Sequence, residues 1–222
     1  MEKYYELTSE TKVNVFGIKL FRIKCTKKTK YANPGDLGGW VDAENTPNGN
    51  ARVYGNAWVS GDAEVYGNAE VCGNARVYGN AWVSGDAWVS GDAEVYGNAR
   101  VCGNAWVCGN AEVCGNARVY GNAWVSGDAE VYGNARVCGN AWVCGNAEIK
   151  SNNDYCVFQN FGSENRSTTF FKCKDKLIKV VCGCFFGTLE EFIAQVIRTH
   201  ADNVFAKAYL TIVEVVKIKF GI

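Results

Sequence analysis

Residues 51–152 are one six-residue word written seventeen times: Ala, then Arg, Trp or Glu, then Val, then Tyr, Ser or Cys, then Gly, then Asn or Asp. Only the last copy departs, as Ala-Glu-Ile-Lys-Ser-Asn. A fixed period this short marks a solenoid, in which each turn stacks on the next. Within a word, Ala51 and Val53 are two apart and point to one face of a short strand, while Arg52 and Tyr54 point to the other. Gly55-Asn56 then supplies a corner, because both residues tolerate left-handed backbone angles. A helix would carry the same period on a rotating stripe, so the strict alternation argues for strands.

Three words make eighteen residues, one triangular turn of a parallel β-helix. The residue before each Val supports that count, because from residue 88 onward it runs Trp, Glu, Arg without a break to Glu148. Stacking every eighteenth residue gives pure columns: Trp88, Trp106, Trp124 and Trp142; Glu94, Glu112, Glu130 and Glu148; Arg100, Arg118 and Arg136. The first coils, Arg52 to Glu70, are out of phase with these columns. Just under six turns predict a rod of roughly 27 Å at about 4.8 Å per coil. Residues 87–112 recur unchanged at 123–148, two whole turns later, which points to growth by duplication of a folded unit.

The spacing of Val53 and Ala57, repeated in every later pair to Val143 and Ala147, resembles the hexapeptide-repeat proteins. In these an aliphatic residue is followed four places later by a small one, and the resemblance implies a left-handed β-helix. The Gly, as in Gly55, stands one place later than that family's usual small residue. A second likeness covers nearly the whole chain. Gly35-Asp36-Leu37-Gly38-Gly39-Trp40-Val41 leading into the words, and the later Cys182-Gly183-Cys184-Phe185-Phe186-Gly187-Thr188, are similar to segments of small phage and bacterial proteins. That likeness implies a fold and a viral or bacterial source, and no activity.

The formal charge is zero but unevenly placed. Residues 51–148 carry five Arg against ten acids, so the words are mildly acidic and both ends are basic. Nothing is basic enough to read as a nucleic-acid patch. The start, Met1-Glu2-Lys3-Tyr4-Tyr5, lacks a basic stretch followed by an apolar one, and no apolar run is long enough to span a membrane. The expected location is therefore cytoplasmic, in the bacterial host if the protein is phage-encoded. The eleven cysteines fit a reducing compartment. Cys72, Cys108 and Cys144 share a column in which Ser90 and Ser126 alternate with them, so they are two coils and about 9.6 Å apart, beyond disulfide reach. The choice of Tyr, Ser or Cys after Val reads as interchangeable. Cys182 and Cys184 have no matching second pair, so no metal site is expected.

A solenoid must cover its end coils. Residues 1–50 read as an N-terminal β cap, with two strands around Phe16-Gly17 that include Val13, Val15, Leu20 and Ile23, and a loop over 31–39 that delivers Trp40-Val41 as the first coil. Residues 42–50 read as a bulging loop. Residues 153–222 read as a small α+β domain. Its expected parts are a hairpin around 162–166, a strand over 177–181, and a helix opened by the capping box Thr188-Leu189-Glu190-Glu191 that buries Leu189, Phe192, Ile193, Val196 and Ile197. The last segment, 204–220, reads as a helix, with a strand ending from Thr211 as the alternative.

The candidate sites are the three columns. Four stacked indoles give a self-stabilising ladder or an aromatic strip for a partner, and a large apolar strip on a surface favours a partner. The Glu and Arg columns are either solvated faces made by copying a word or charged strips that pair in register with another protein or another copy. The Asn and Asp corners read as hydrogen-bonded ladders in preference to calcium sites. Catalytic chemistry is thin: the one His is His200, outside the words, whereas acyltransferases of the hexapeptide family use a His base with acetyl-CoA. The expectation is a non-enzymatic structural or protein-interaction scaffold without a cofactor, able to associate with a protein partner or with itself. A binding module for a small ligand, nucleotide or glycan is the alternative, and an acyltransferase the weaker one.

Overall fold

The computed structural model of the chain describes residues 4–28, 32–42, 47 and 50–222. The first three residues, residue 31 and most of the loop expected over 42–50 lie outside the described residues.

Each word contributes one two-residue strand, from β4 (Arg52–Val53) to β20 (Glu148–Ile149). These are preceded by β1 (Tyr5–Val13), β2 (Lys19–Cys25) and β3 (Leu37–Val41). Three words close one coil, so every strand pairs in parallel with the strand three words later. Trp88 stands over Trp106, Glu94 over Glu112 and Arg100 over Arg118. The Ala and Val positions fill the interior and are almost completely buried along the whole rod. Hydrogen bonds between coils run through strands and corners alike: Trp88 N donates to Ala105 O at 2.9 Å and Asp92 N to Gly109 O at 2.8 Å.

The corner glycine is needed for two reasons. Gly91 has φ +72°, in the left-handed region, and a Cβ built there would stand 2.9 Å from the carbonyl oxygen of Gly109 in the next coil. The same constraint explains the lead-in motif. Gly38 and Gly39 lie so close under the first coil that a Cβ would meet Val53 O at 2.7 Å and Ala57 O at 2.8 Å. The Gly-Gly pair is thus a crossing point of the chain. Beyond it, Trp40 and Val41 of β3 pair in parallel with Trp58 and Val59, as the first coil should. The N-terminal strands extend this sheet as an antiparallel meander, β1 on β2 and β2 on β3. Leu20 and Ile23 are buried as expected, whereas Val15 lies in the exposed turn between the strands.

At the other end β21 (Tyr155–Phe161), β22 (Arg166–Lys172), β23 (Ile178–Cys182) and β24 (Phe185–Thr188) form an antiparallel sheet. Its two faces serve two cores. Tyr155, Phe171, Cys173 and Val181 join Ile149 and plug the open end of the solenoid. Phe170, Ile178 and Val180 point the other way, onto α1 (Leu189–His200) and α2 (Val204–Phe220). The contact is specific: Thr169 Oγ1 accepts from Trp142 N at 3.0 Å, and Lys174 N donates to Asn146 O at 3.0 Å.

Three expectations change. The fourth strand, β24, was not foreseen. In α1 the capping box forms, but Ile197 is 52% exposed, so the buried stripe is Leu189, Phe192 and Val196. The strand alternative after Thr211 fails: α2 stays helical to Phe220, capped by the Asn203 side chain and closed by Gly221 at φ +71°. Val213 and Val216 are buried against the domain core, and that packing outweighs the β preference of branched side chains.

Candidate functional site

The outward positions divide the rod into three faces. The Trp face brings Trp88, Trp106, Trp124 and Trp142 together as one ladder. Ring centroids are 5.1, 5.2 and 4.9 Å apart, with the last pair nearly parallel at 8° and the others tilted by 55° and 58°. The ladder alternates with a two-coil beat. Trp88 Nε1 donates to Cys72 Sγ at 3.1 Å and Trp124 Nε1 to Cys108 Sγ at 3.2 Å, and both rings are half-buried. Trp106 and Trp142 are exposed, at 42% and 37%. The C-terminal domain therefore leaves this face open.

The Glu face is not a bare acidic strip. Tyr78 donates to Glu94 at 2.8 Å, Tyr96 to Glu112 at 3.1 Å and Tyr132 to Glu148 at 2.8 Å. Cations supply the rest: Arg76 reaches Glu94 at 2.8 Å, Lys174 reaches Glu130 at 2.7 Å and Lys150 reaches Glu148 at 3.2 Å. The Tyr78 hydroxyl is pushed above its usual pKa by burial and by the Glu94 carboxylate it serves, so it stays a donor. The residues after Val are thus not interchangeable. A side chain there meets the pre-Val side chain sixteen residues on, and Tyr occupies that place beneath Glu70, Glu94, Glu112 and Glu148. Near the N-terminal cap the same face carries a second aromatic stack, with Trp58 on Tyr78 at 5.5 Å and Tyr78 on Tyr96 at 5.0 Å and 1°. Reading the columns only at eighteen residues conceals the Tyr–Glu pairs, sixteen apart, and the Trp58–Tyr78 contact, twenty apart.

The Arg face holds Arg100, Arg118 and Arg136 in register, all exposed. The Arg100 guanidinium lies 4.4 Å from the centre of the Trp82 ring one coil below.

Corner ladders behave as expected. Asn56 donates to Asn74 and Asn74 to Asp92, at 3.2 and 2.9 Å, and Asn110 donates to Asp128 at 2.8 Å. An Asp can accept but not donate, which explains why no two Asp are stacked in this column. Among the described residues no cluster of three His, Cys, Asp or Glu side chains could hold a metal ion. All eleven cysteines are free thiols. Burial raises Cys144 to about 11 and Cys173 to about 12, so neither is a thiolate at neutral pH. His200 ends α1, remote from the words in sequence, and stacks at 5.7 Å on Tyr209 of the second core.

A cavity of about 320 Å³ opens beside His200, lined by Arg166, Cys182, Phe185, Phe192 and Tyr209 among others. Two turn glycines make room for its polar groups, since a Cβ at Gly162 would overlap the Tyr209 hydroxyl and one at Gly183 the Arg166 guanidinium. No sequence pattern announced this cavity; its lining runs from the turn between β21 and β22 to α2 and meets only through folding. Among the described residues no helix is long and apolar enough to cross a membrane.

Comparison with known families agrees with the coil geometry. Residues 49–61, 69–85, 75–91, 93–109, 111–127 and 129–147 match the repeat described as YdcK Beta solenoid repeat. No curated protein matches the chain. The chain is a β-helix repeat protein.

Proposed function

We propose that this protein is a non-enzymatic interaction scaffold, a rod that holds side-chain ladders at fixed spacing and docks a second copy of itself through the Trp face. The observation that carries this reading is the continuous indole ladder with Trp106 and Trp142 exposed on a parallel sheet. Such a strip is costly to leave in water, and closure by a partner surface removes that cost. Rigidity supports the reading, since every coil is tied to its neighbours through backbone bonds and Asn ladders. A phage-related, cytoplasmic role belongs to the same proposal and rests on the likeness of the Gly35–Val41 segment.

Light scattering tests it. The expected mass is a multiple of 24.3 kDa, and the Trp106→Ala/Trp142→Ala variant reverts to monomer with its circular dichroism unchanged. A monomeric wild type, or an assembly indifferent to both substitutions, removes self-association through this face.

The cavity beside Arg166 favours a second reading, a module for a small anionic ligand with an aromatic body held between Phe185, Phe192 and Tyr209. Titration with benzoate, followed by NMR shifts of the C-terminal domain, separates the two: shifts confined to 162–209 that vanish in Arg166→Gln support it.

A further inference from the structure

The Arg column differs from the Glu column in making no ion pair, with Glu64 the one acid on the same strand stack, below Trp82. Arg100, Arg118 and Arg136 stand directly above one another, and none makes an ion pair among the described residues. Beside Arg100, Arg118 and Arg136 the corners are neutral, and the acids of these two columns, Asp86 and Asp62, lie one and two coils below Arg100. Asn98, Asn116 and Asn134 form one amide ladder, with bonds of 3.2 Å, and Asn104, Asn122 and Asn140 form the other, at 3.1 and 3.0 Å. The acidic corner residues Asp92 and Asp128 lie in the column between the Trp and Glu strands. The strip has defined ends. Trp82 closes it at Arg100 by a cation–π contact. At Arg136 it runs into a cleft of about 300 Å³ under the C-terminal domain, lined by Tyr120, Cys138, Asn152 and Tyr155. Tyr155 fixes that wall by donating to Arg136 O at 2.6 Å, and Lys219 adds a cation at Asn152 O, 3.4 Å away.

We propose that Arg100, Arg118 and Arg136 form a docking strip for an extended acidic peptide segment of a partner protein, which ends in the cleft beside Asn152 and Tyr155. The assignment rests on the scaffold reading and names the partner class for a second face. Alternate carboxylates on an extended peptide are about 6.7 Å apart, within reach of flexible guanidiniums at a pitch of about 4.8 Å, and each guanidinium takes a carboxylate through two parallel hydrogen bonds. The Glu column of a second copy is not the favoured source of those carboxylates. That column is already engaged by Tyr78, Tyr96, Tyr132, Arg76, Lys150 and Lys174. A nucleic acid is disfavoured because the strip spans only about 10 Å on a rod whose words carry ten acids against five Arg.

The test uses the full chain and a fluorescein-labelled peptide of alternating Glu and Gly, followed by fluorescence anisotropy. Wild type binds at about 50 mM salt and weakens at about 300 mM. The Arg100→Gln/Arg118→Gln/Arg136→Gln variant loses at least about tenfold in affinity, whereas Trp106→Ala/Trp142→Ala binds the peptide as wild type does, so this assignment and the Trp-face reading fail separately. Where the triple variant does not fold, Arg118→Gln alone gives the same direction. Absence of peptide binding by wild type, equal binding by the Arg variants, or tighter binding of a single-stranded oligonucleotide of equal charge overturns the proposal.

Discussion

Asp154 joins the rod to the C-terminal domain. Its carboxylate accepts from the backbone N–H of Lys150 and Ser151, at 3.1 and 2.8 Å, and from Ser151 Oγ at 3.0 Å, and pairs with Lys172 at 3.2 Å. Burial alone would raise its pKa, but the Ser151 and Lys172 contacts outweigh it and hold the group below the usual carboxylate range. A depressed folded pKa means that the stabilisation is present above the unfolded carboxylate pKa and is lost as pH falls through the folded value. Asp154→Asn is expected to cost about 1.5 kcal/mol at neutral pH and progressively less below about pH 4, measured as urea midpoints across pH. A gap that widens on acidification contradicts the assignment. The turn contacts to Lys150 and Ser151 are local, but nothing in the sequence marks the Lys172 partner, which meets Asp154 only once β21 and β22 pair. The Tyr–Glu pairs were within reach. Tyr96 and Glu112 are sixteen residues apart, one coil less two, since the side chain after Val leans toward the pre-Val position above it. The columns themselves were fully legible, because a parallel stack places identical words over one another.

Among elements, the Arg ladder is the one that works against folding. Arg118 has a like charge above and below at about 4.8 Å, a repulsion of about 0.9 kcal/mol per pair in water, and makes no ion pair among the described residues. The Glu ladder escapes this through its tyrosines and lysines. Arg118→Gln is therefore expected to raise stability by about 1 kcal/mol at low salt, with the gain shrinking as salt screens the charges; thermal melts at two ionic strengths decide it, and a loss of stability at low salt would count against an unopposed ladder. Stability given up at an exposed strip accords with a binding role. Elsewhere, legibility followed local signals. Helix α1 has its capping box and α2 its Asn203 and Gly221 caps. Strand β24 is only Phe185–Thr188, with a Gly inside, and is held by pairing Cys182 with Phe185 across a two-residue turn. The signal that could have found it is Gly183-Cys184 between apolar residues, a tight-hairpin pattern with Gly183 at φ +60°.

On the scale of the molecule, the rod is quasi-one-dimensional, and its length is adjustable in a way a globular core is not. Because 87–112 and 123–148 are identical, deleting residues 87–122 joins Asp86 to the same twenty-six residues it already precedes. Across the new junction Trp124 takes the place of Trp88 over Glu70, with Cys72 again sixteen residues before it. The plug of Phe171 and Val181 at the far end keeps its seat on the last coil, since Thr169 and Lys174 still meet Trp142 and Asn146. The shortened protein is expected to fold cooperatively with the same β-type circular dichroism and to lose about 10 Å of length in small-angle scattering, two coils at about 4.8 Å each. A five-residue deletion of 118–122 is the opposing case. It leaves a word of one residue, shifts the alternation by one and turns the following Val and Ala positions outward, so the core cannot close. If both deletions fold, the six-residue word is not what holds the rod; if neither does, stacked coils are not independent enough to have grown by duplication.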